Sequence, residues 1–471
     1  MTGDEVRDAT EPISSEAFEP EFSHSASLHS ERSLSTEVLT AIVTADLSGV
    51  CRGRTVPNWR VADALANGIG WVPANLALTP FATLATPNPF GSKGDLRLVP
   101  DATTLIRLPG DMTRPPLGVM LGDLEEPDGT AWNSCPRAFL KSALRDLEME
   151  AGLTMKVAFE HEFVEIADGD REQPFSLQAL LTGEPFGSTL VRVLADVGLQ
   201  PETWLAEFGM RQWEITLKPA AGLVAADRAI LLRETVRSVA RNLGRKVTFS
   251  PVPTLGDATS GVHVHLSLWR TDGRPATFDA EGPGRLSDEA RSFAAGVLTH
   301  SRALLALTAG SAISFERLRP GNWSAGLAIL GDQEREALLR IPATVERNGR
   351  DPAPQFNLEY RGADATANPW IVLGAIVHAG LEGLRASMAA PRPGGSMGAV
   401  ESQRFIVPAG IGEVLPSSLG EALDALESDA VARAWLPSTL FDTYLAVKRE
   451  ELELVTKLDD IQRCKRYVDA Y

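Results

Sequence analysis

Three short segments of this chain place acids, histidines or an arginine two positions apart. Alternate side chains of a strand share a face, so AFEHEF puts Glu160 and Glu162 together and turns His161 away. GVHVHLSL pairs His263 with His265, and FNLEYR pairs Glu359 with Arg361. Glu214 in QWEITL faces away from Trp213 and Ile215, and Glu207 lies seven residues before it across a turn expected at Gly209. Close carboxylates repel and need a cation, a shared proton or solvent. Each pair alone is more often a wet strand face, and a lone histidine more often a satisfied structural residue. Several such acids and a histidine on separate strands suit Mg²⁺ or Mn²⁺, and such ions suit phosphoryl transfer. ERLRPG adds Arg317, and EREALLRIP adds Arg335 and Arg340. Arginine makes fork-like contacts to carboxylate and phosphate. Taken together, these side chains describe a site for a nucleotide, metals and an acid.

The elements that must position them fall into two units, as expected for 471 residues. Residues 1–33 are Ser- and Glu-rich with no clear period and read as a disordered tail. Residues 34–133 read as a small, strand-dominated unit: LTAIVTADLSGVCRG turns at Ser48–Gly49, a Pro/Gly/Asn-rich stretch follows, and two short strands come after it. Residues 134–471 begin with a helix opened by Pro136 and closed by Gly152. The acid- and histidine-bearing strands follow, with a long helix ending at Gly244 and further helices at 285–308, 367–390, 417–428 and 438–456. No P-loop and no strand-bound GxGxxG occurs, so a nucleotide needs another kind of phosphate site.

Composition narrows the partners. With 45 basic against 62 acidic residues the net charge is −17, which argues against nucleic acid. No apolar run approaches a membrane span and no signal-peptide pattern opens the chain. The three cysteines are scattered without metal-type spacing, which suits a reduced cytoplasm.

In their order, AFEHEF, GMRQWEI, TSGVHVHLSLW, ERLRPG, EREALLRIP and LEYRGADATANPWIVLGAIVHAGLEG resemble the motifs of the glutamine synthetase family, over about residues 38–455. The resemblance implies an α+β fold: a small β-grasp-like N-terminal domain, then a large catalytic domain around an antiparallel sheet. It also implies a first metal site at Glu162, Glu207 and Glu214 and a second at Glu160, His263 and Glu359. Arg317 and Arg361 match arginines that hold the acid substrate. Arg335 and Arg340 match arginines that steady the ATP phosphates and the transferring group, and Ser267 matches a nucleotide-side residue. Glu162, Gly261, His263 and Trp323 join the substrate side. The implied partners are ATP, a small acid (glutamate) and an amine, in a homo-oligomer of two hexameric rings with active sites shared between neighbours. The implied chemistry is an acyl phosphate displaced by an amine.

The departures from the family pattern gather on the amine side. RLRPGNW carries Trp323 where a site-closing glutamate stands, and an indole cannot act as a base. GIGWVPAN lacks the aspartate that serves ammonium, Ala258-Thr259-Ser260-Gly261 replaces an Asn-Gly-Ser-Gly turn, and Asn357 replaces an ATP-side arginine. The favoured reading is therefore a γ-glutamyl–amine ligase acting on an organic amine, with Glu316, Asp332 or Glu334 as stand-in acids for an aliphatic one. An authentic glutamine synthetase and a non-catalytic homologue stand as the competing readings.

Overall fold

The computed structural model describes residues 37–111, 113–169, 172–389, 404–405 and 415–471; the tail assigned to 1–33 lies outside them. Strands β1 (Leu39–Ala45), β2 (Cys51–Pro57), β3 (Ile69–Trp71), β4 (Leu96–Pro100), β5 (Ile106–Leu108) and β6 (Leu117–Glu125) form the first sheet. Its order is β2-β1-β6-β4-β3, with β5 also on β6. The β1–β2 hairpin turns at Gly49, whose φ of +70° favours glycine. The central pair β1–β6 is parallel, as a β-grasp arrangement requires.

The second sheet contains β7 (Leu153–Glu165), β8 (Pro201–Ala206), β9 (Gln212–Leu217), β10 (Ala220–Ala221), β11 (Val247–Thr248), β12 (Val262–Arg270), β13 (Leu327–Asp332), β14 (Ala337–Ile341), β15 (Leu358–Tyr360) and β16 (Arg404–Phe405). Its main path is β16-β13-β14-β15-β12-β7-β9-β8. The pairs are antiparallel except β13–β14, which run parallel because residues 333–336 carry the chain back along the strand. Every odd-numbered residue of β7 from Leu153 to Glu165 is buried, which turns the even-numbered ones, Glu160 and Glu162 among them, to the open face.

Helices Pro136–Ala151, Gly222–Asn242, Asp288–Thr299 and Pro369–Ala389 supply much of the packing. The last of these is apolar nearly all round and carries the buried Trp370, Ile371, Leu373 and Ile376. It crosses Asp288–Thr299 closely: a Cβ on Gly383 would strike Ser292 O, and one on Gly296 would strike Ala379 O. The single helix expected at 285–308 is two, Asp288–Thr299 and Ser301–Thr308. They break at His300, whose ring Nδ1 lies 2.6 Å from Asp429 Oδ2. A further helix, Asp460–Ala470, opens with a capping box between Asp459 and Gln462.

Buried polar contacts join the two sheets' layers. Arg137, 1% exposed, donates to Asp123 and Asp101 of the first unit at 2.8 Å each, and to Asp227 Oδ1 and Oδ2 at 3.0 and 2.8 Å. Trp370 Nε1 also donates to Asp227 Oδ1 at 2.8 Å. Asn368 caps its helix through Trp370 N and donates to Ala45 O and Asp46 O. Ser48 meets the end of the chain: Tyr471 Oη donates to its carbonyl (2.9 Å), and Lys448 Nζ to its hydroxyl (3.4 Å). Lys448 also pairs with the fully buried Glu451 at 3.0 Å, which accepts from Tyr467 Oη at 2.8 Å.

Candidate active site

Residues paired in register on adjacent strands point to the same face. Glu162 pairs with Glu214, His263 with Glu160, His265 with Glu359, and Glu359 with Arg340. The second sheet thus lines acids, histidines and an arginine across β9, β7, β12, β15 and β14. Glu207 joins them from the β8–β9 hairpin, where its N–H donates to Gln212 O at 2.9 Å and Arg211 takes a φ of +53°. His161 turns to the opposite face as expected, edge-on to Phe249; burial there pushes its ring down to about 3, so it is neutral.

The contacts are close. His263 Nδ1 lies 2.7 Å from Glu160 Oε1 and 3.6 Å from Glu359 Oε1. His265 Nε2 lies 3.4 Å from Glu160 Oε2, and its Nδ1 lies 3.0 Å from Asn357 Oδ1. Potential ligand atoms of Glu160, Glu162 and His263 all fall within 4.8 Å of one another, and so do those of Glu160, His265 and Glu359. These tight triads cut across the two metal sets implied by the resemblance, and His265 was absent from both. Its signal was already present in the HVH alternation, which gives both histidines one face.

The charges divide into two halves. Burial pushes the Glu160 carboxyl up, but hydrogen bonds and charge from His263 and His265 hold it well below the ordinary range. Burial acts likewise on Glu359, and the two histidines with Arg361 and Arg340 outweigh it. Arg340 Nη1 donates to Glu359 Oε2 at 2.7 Å, and Arg361 Nη1 donates to Oε1. On the other half, burial followed by the charges of Glu160, Glu162 and Glu207 pushes Glu214 up to about 10. Burial and the charge of Glu162 raise Glu207 as well.

Burial first, and then repulsion from the neighbouring carboxylates, favours the protonated form of Glu214 at neutral pH, in a place that a divalent cation would relieve. The oxygen-rich, single-imidazole donor sets fit Mg²⁺ or Mn²⁺. Adding Mg²⁺ to metal-free protein at about pH 7.5 should release protons. Titration calorimetry would show this as a heat that scales with buffer ionisation enthalpy; a buffer-independent heat contradicts the cluster. In the metal-free protein Glu214 stabilises the fold fully below its ordinary 4.5, and that contribution is lost as pH rises toward about 10.

The arginines take different places. Arg317 is 2% exposed; its Nη2 donates to Arg361 O at 2.9 Å and lies 3.5 Å from His263 Nε2. Its Nη1 is buried without a partner among the described residues, a donor held ready for a ligand. Gly261 makes room for that guanidinium, which a Cβ there would strike, and its N–H donates to Glu162 Oε2 at 2.9 Å. Gln212, not singled out from sequence, donates through Nε2 to Glu162 Oε2 (3.3 Å) and Thr259 O (2.9 Å). It shares the face of Glu214 two residues on, and that spacing was its only signal. Ser267 lies on the His263–His265 face of β12 and accepts from Trp269 Nε1 at 2.8 Å. The Arg335 guanidinium is not brought into the cluster: the residue is exposed, and its backbone carbonyl accepts from Arg361 Nε at 3.1 Å.

Comparison with known proteins identifies the family to which this fold belongs. A family model described as the glutamine synthetase catalytic domain matches residues 133–467, and one for the glutamine synthetase N-terminal domain matches 28–132. The chain belongs to the glutamine synthetase family. It is 33% identical over 430 residues to gamma-glutamylpolyamine synthetase GlnA3 of Streptomyces coelicolor, covering 88% of this chain and 90% of that one. It is 30% identical over 371 residues to glutamine synthetase of Methanocaldococcus jannaschii, covering 76% and 80%. Among solved structures, one titled a novel glutamine synthase homolog superimposes with a TM-score of 0.86 at 42% identity, covering 94% of this chain and all of that one. GmaS in an ADP complex gives 0.74 at 27% identity, covering 91% and 96%. As a member of this family the chain is an ATP-dependent ligase.

Trp323, expected from the resemblance to mark the departure on the amine side, is 73% exposed and has a φ of +52°. Of the proposed stand-in acids, Glu316 is paired with Arg319 at 2.6 Å, and Asp332 is exposed. Glu334 Oε1 accepts from Glu336 N at 3.1 Å.

Proposed function

We propose that this ligase joins a carboxylic acid, glutamate by family likeness, to an organic amine in place of ammonia. The observation that carries the reading is Trp323, an exposed residue where the resemblance implies an acid, on a chain that keeps a cluster of acids and histidines able to hold a metal. The name of the Streptomyces coelicolor relative supports it.

In this reading Arg317 and Arg361 hold the acid's carboxylates, and Arg340, Ser267 and His265 serve the nucleotide side. Glu162, Glu207 and Glu214 would hold one divalent metal, and Glu160, His263 and Glu359 a second. Such ions supply neutralising charge for the phosphoryl oxygens. The acid's carboxylate attacks the γ-phosphate, ADP leaves, and the amine displaces phosphate from the acyl carbon. The buried Arg317 is preorganised for charge on the acid, which is where electrostatic stabilisation acts most strongly. An aromatic amine is neutral near pH 7 and needs no base to free its lone pair, and the proton it sheds as the amide forms can leave with the phosphate, which fits the absence of an acid at position 323. By family likeness the chain assembles as a ring-shaped homo-oligomer, a dodecamer, with active sites shared between neighbours.

The test is coupled ADP release with ATP, Mg²⁺ and glutamate over ammonia, polyamines, ethanolamine, alkylamines and anilines. At least one organic amine should exceed ammonia by about tenfold or more in kcat/KM, a difference of about 1.4 kcal/mol. Ammonia as the best acceptor would make the chain a glutamine synthetase, and no metal-dependent ADP release with any acceptor would overturn glutamate as the acid.

A further inference from the structure

The backbone at Trp323 is held from both sides by side chains. A bulky residue at positive φ is strained and persists only where its surroundings over-determine it. Here Trp323 N donates to Glu336 Oε1 at 2.8 Å, and Trp323 O accepts from Arg361 Nη2 at 2.9 Å. Gly321 N donates to the other oxygen of Glu336 at 3.2 Å, so one carboxylate takes two N–H groups of the same loop. Asn322 Nδ2 donates to Glu316 O (3.0 Å), and Ser324 Oγ to Arg317 O (2.7 Å). Glu336 is itself fixed: its carbonyl accepts from Leu327 N at 3.1 Å, and a Cβ on Gly326 would crowd its Oε2. The loop is thereby tied to the short helix that carries Arg317 and to the guanidinium that grips Glu359.

We propose that Glu336 is a positioning residue for acceptor choice: its carboxylate clamps residues 321–323 so that the Trp323 indole stands as a fixed apolar rim for the amine's organic body. This rests on the acceptor reading given above and adds to it the class of amine, one carrying an aromatic ring or a hydrocarbon chain long enough to lie on an indole. A loop whose backbone is already clamped loses less conformational freedom on binding and so gains more from the contact. Small, fully hydrated amines gain nothing from it.

Two measurements on the full chain test this. Hydrogen exchange at the Gly321 and Trp323 amides should quicken about tenfold in Glu336→Ala, which removes both acceptors, and less in Glu336→Gln, which keeps a carbonyl acceptor. Under steady-state turnover Glu336→Ala should raise KM for the best organic amine about tenfold and leave KM for ATP within about twofold, with Glu336→Gln between. Trp323→Ala should match Glu336→Ala in its effect on amine KM. Unchanged amide exchange in Glu336→Ala overturns the clamp, and equal rises in the KM of amine and ATP overturn its role in acceptor choice. Quickened exchange in a protein that prefers ammonia keeps the clamp and overturns the class of amine, along with the reading it rests on.

Discussion

Glu162→Ala should lower metal-dependent ADP release on the order of a thousandfold while leaving the thermal transition of the protein near its original temperature. The carboxylate stands at the junction of the two halves of the cluster, within ligand distance of Glu160 and His263 and in register with Glu214. It also organises its neighbours: one oxygen accepts from Gly261 N and from Gln212 Nε2. Glu162→Gln separates the two roles. The amide retains a carbonyl acceptor for those donors but loses the negative charge a hard cation needs, so its turnover should fall almost as far. Because one of four crowded carboxylates is gone, Glu214 should titrate lower in either variant, and proton release on Mg²⁺ binding should shrink. Turnover by Glu162→Ala within about tenfold of wild type would show that the cluster is not the catalytic metal site.

The largest effect on stability is expected at Arg137. Its guanidinium satisfies the buried Asp227 through two bonds and reaches Asp101 and Asp123 of the first unit with its remaining donors. Arg137→Ala leaves Asp227 with Trp370 Nε1 as its partner and strands a carboxylate that burial already pushes upward. Breaking such a buried pair from one side costs about 3–5 kcal/mol. Urea unfolding should show that loss at neutral pH. It should be smaller in acid, where Asp227 takes up a proton and the uncompensated charge disappears. Arg137→Lys keeps the charge but loses the forked geometry, so its loss should be intermediate. A loss below about 1 kcal/mol for Arg137→Ala would place the pair among ordinary surface contacts.

Much of the site was legible because a period of two is a strong signal. AFEHEF and HVH announce which side chains share a face before any partner strand is known, and the structure gathers those faces into one row. Register was not legible. That His265 stands opposite Glu359 depends on how β12 and β15 align, a relation set by packing across nearly a hundred residues of sequence. Arg335 and Glu336 show the same limit from the other side. Both sit in EREALLRIP, yet the run of residues 333–336 back along β13 leaves one in solvent and turns the other onto the Trp323 loop. For the fold, helix periodicity located the 438–456 helix. It passed over the break at His300, where a side-chain contact to Asp429 competes with a continuous helix. Helix Asp460–Ala470 is not among the elements expected from sequence; the Asp459–Gln462 spacing of its capping box was the local signal that could have placed it.

The contact between Ser48 and Tyr471 sets a clock on the birth of this protein. The two residues are 423 positions apart, and Lys448, the other partner of Ser48, is 400 positions away. At a synthesis rate of about 5–20 residues per second, the turn at Ser48 waits roughly 20–85 seconds for the tyrosine that closes over it. The β1–β2 hairpin can pair within that time because its contacts are local. The docking of the first sheet onto the second cannot finish until helix Asp460–Ala470 and Tyr471 have left the ribosome. During that interval the surface around Ser48 stays uncovered, which lengthens the time in which a partly folded chain is open to association with other chains.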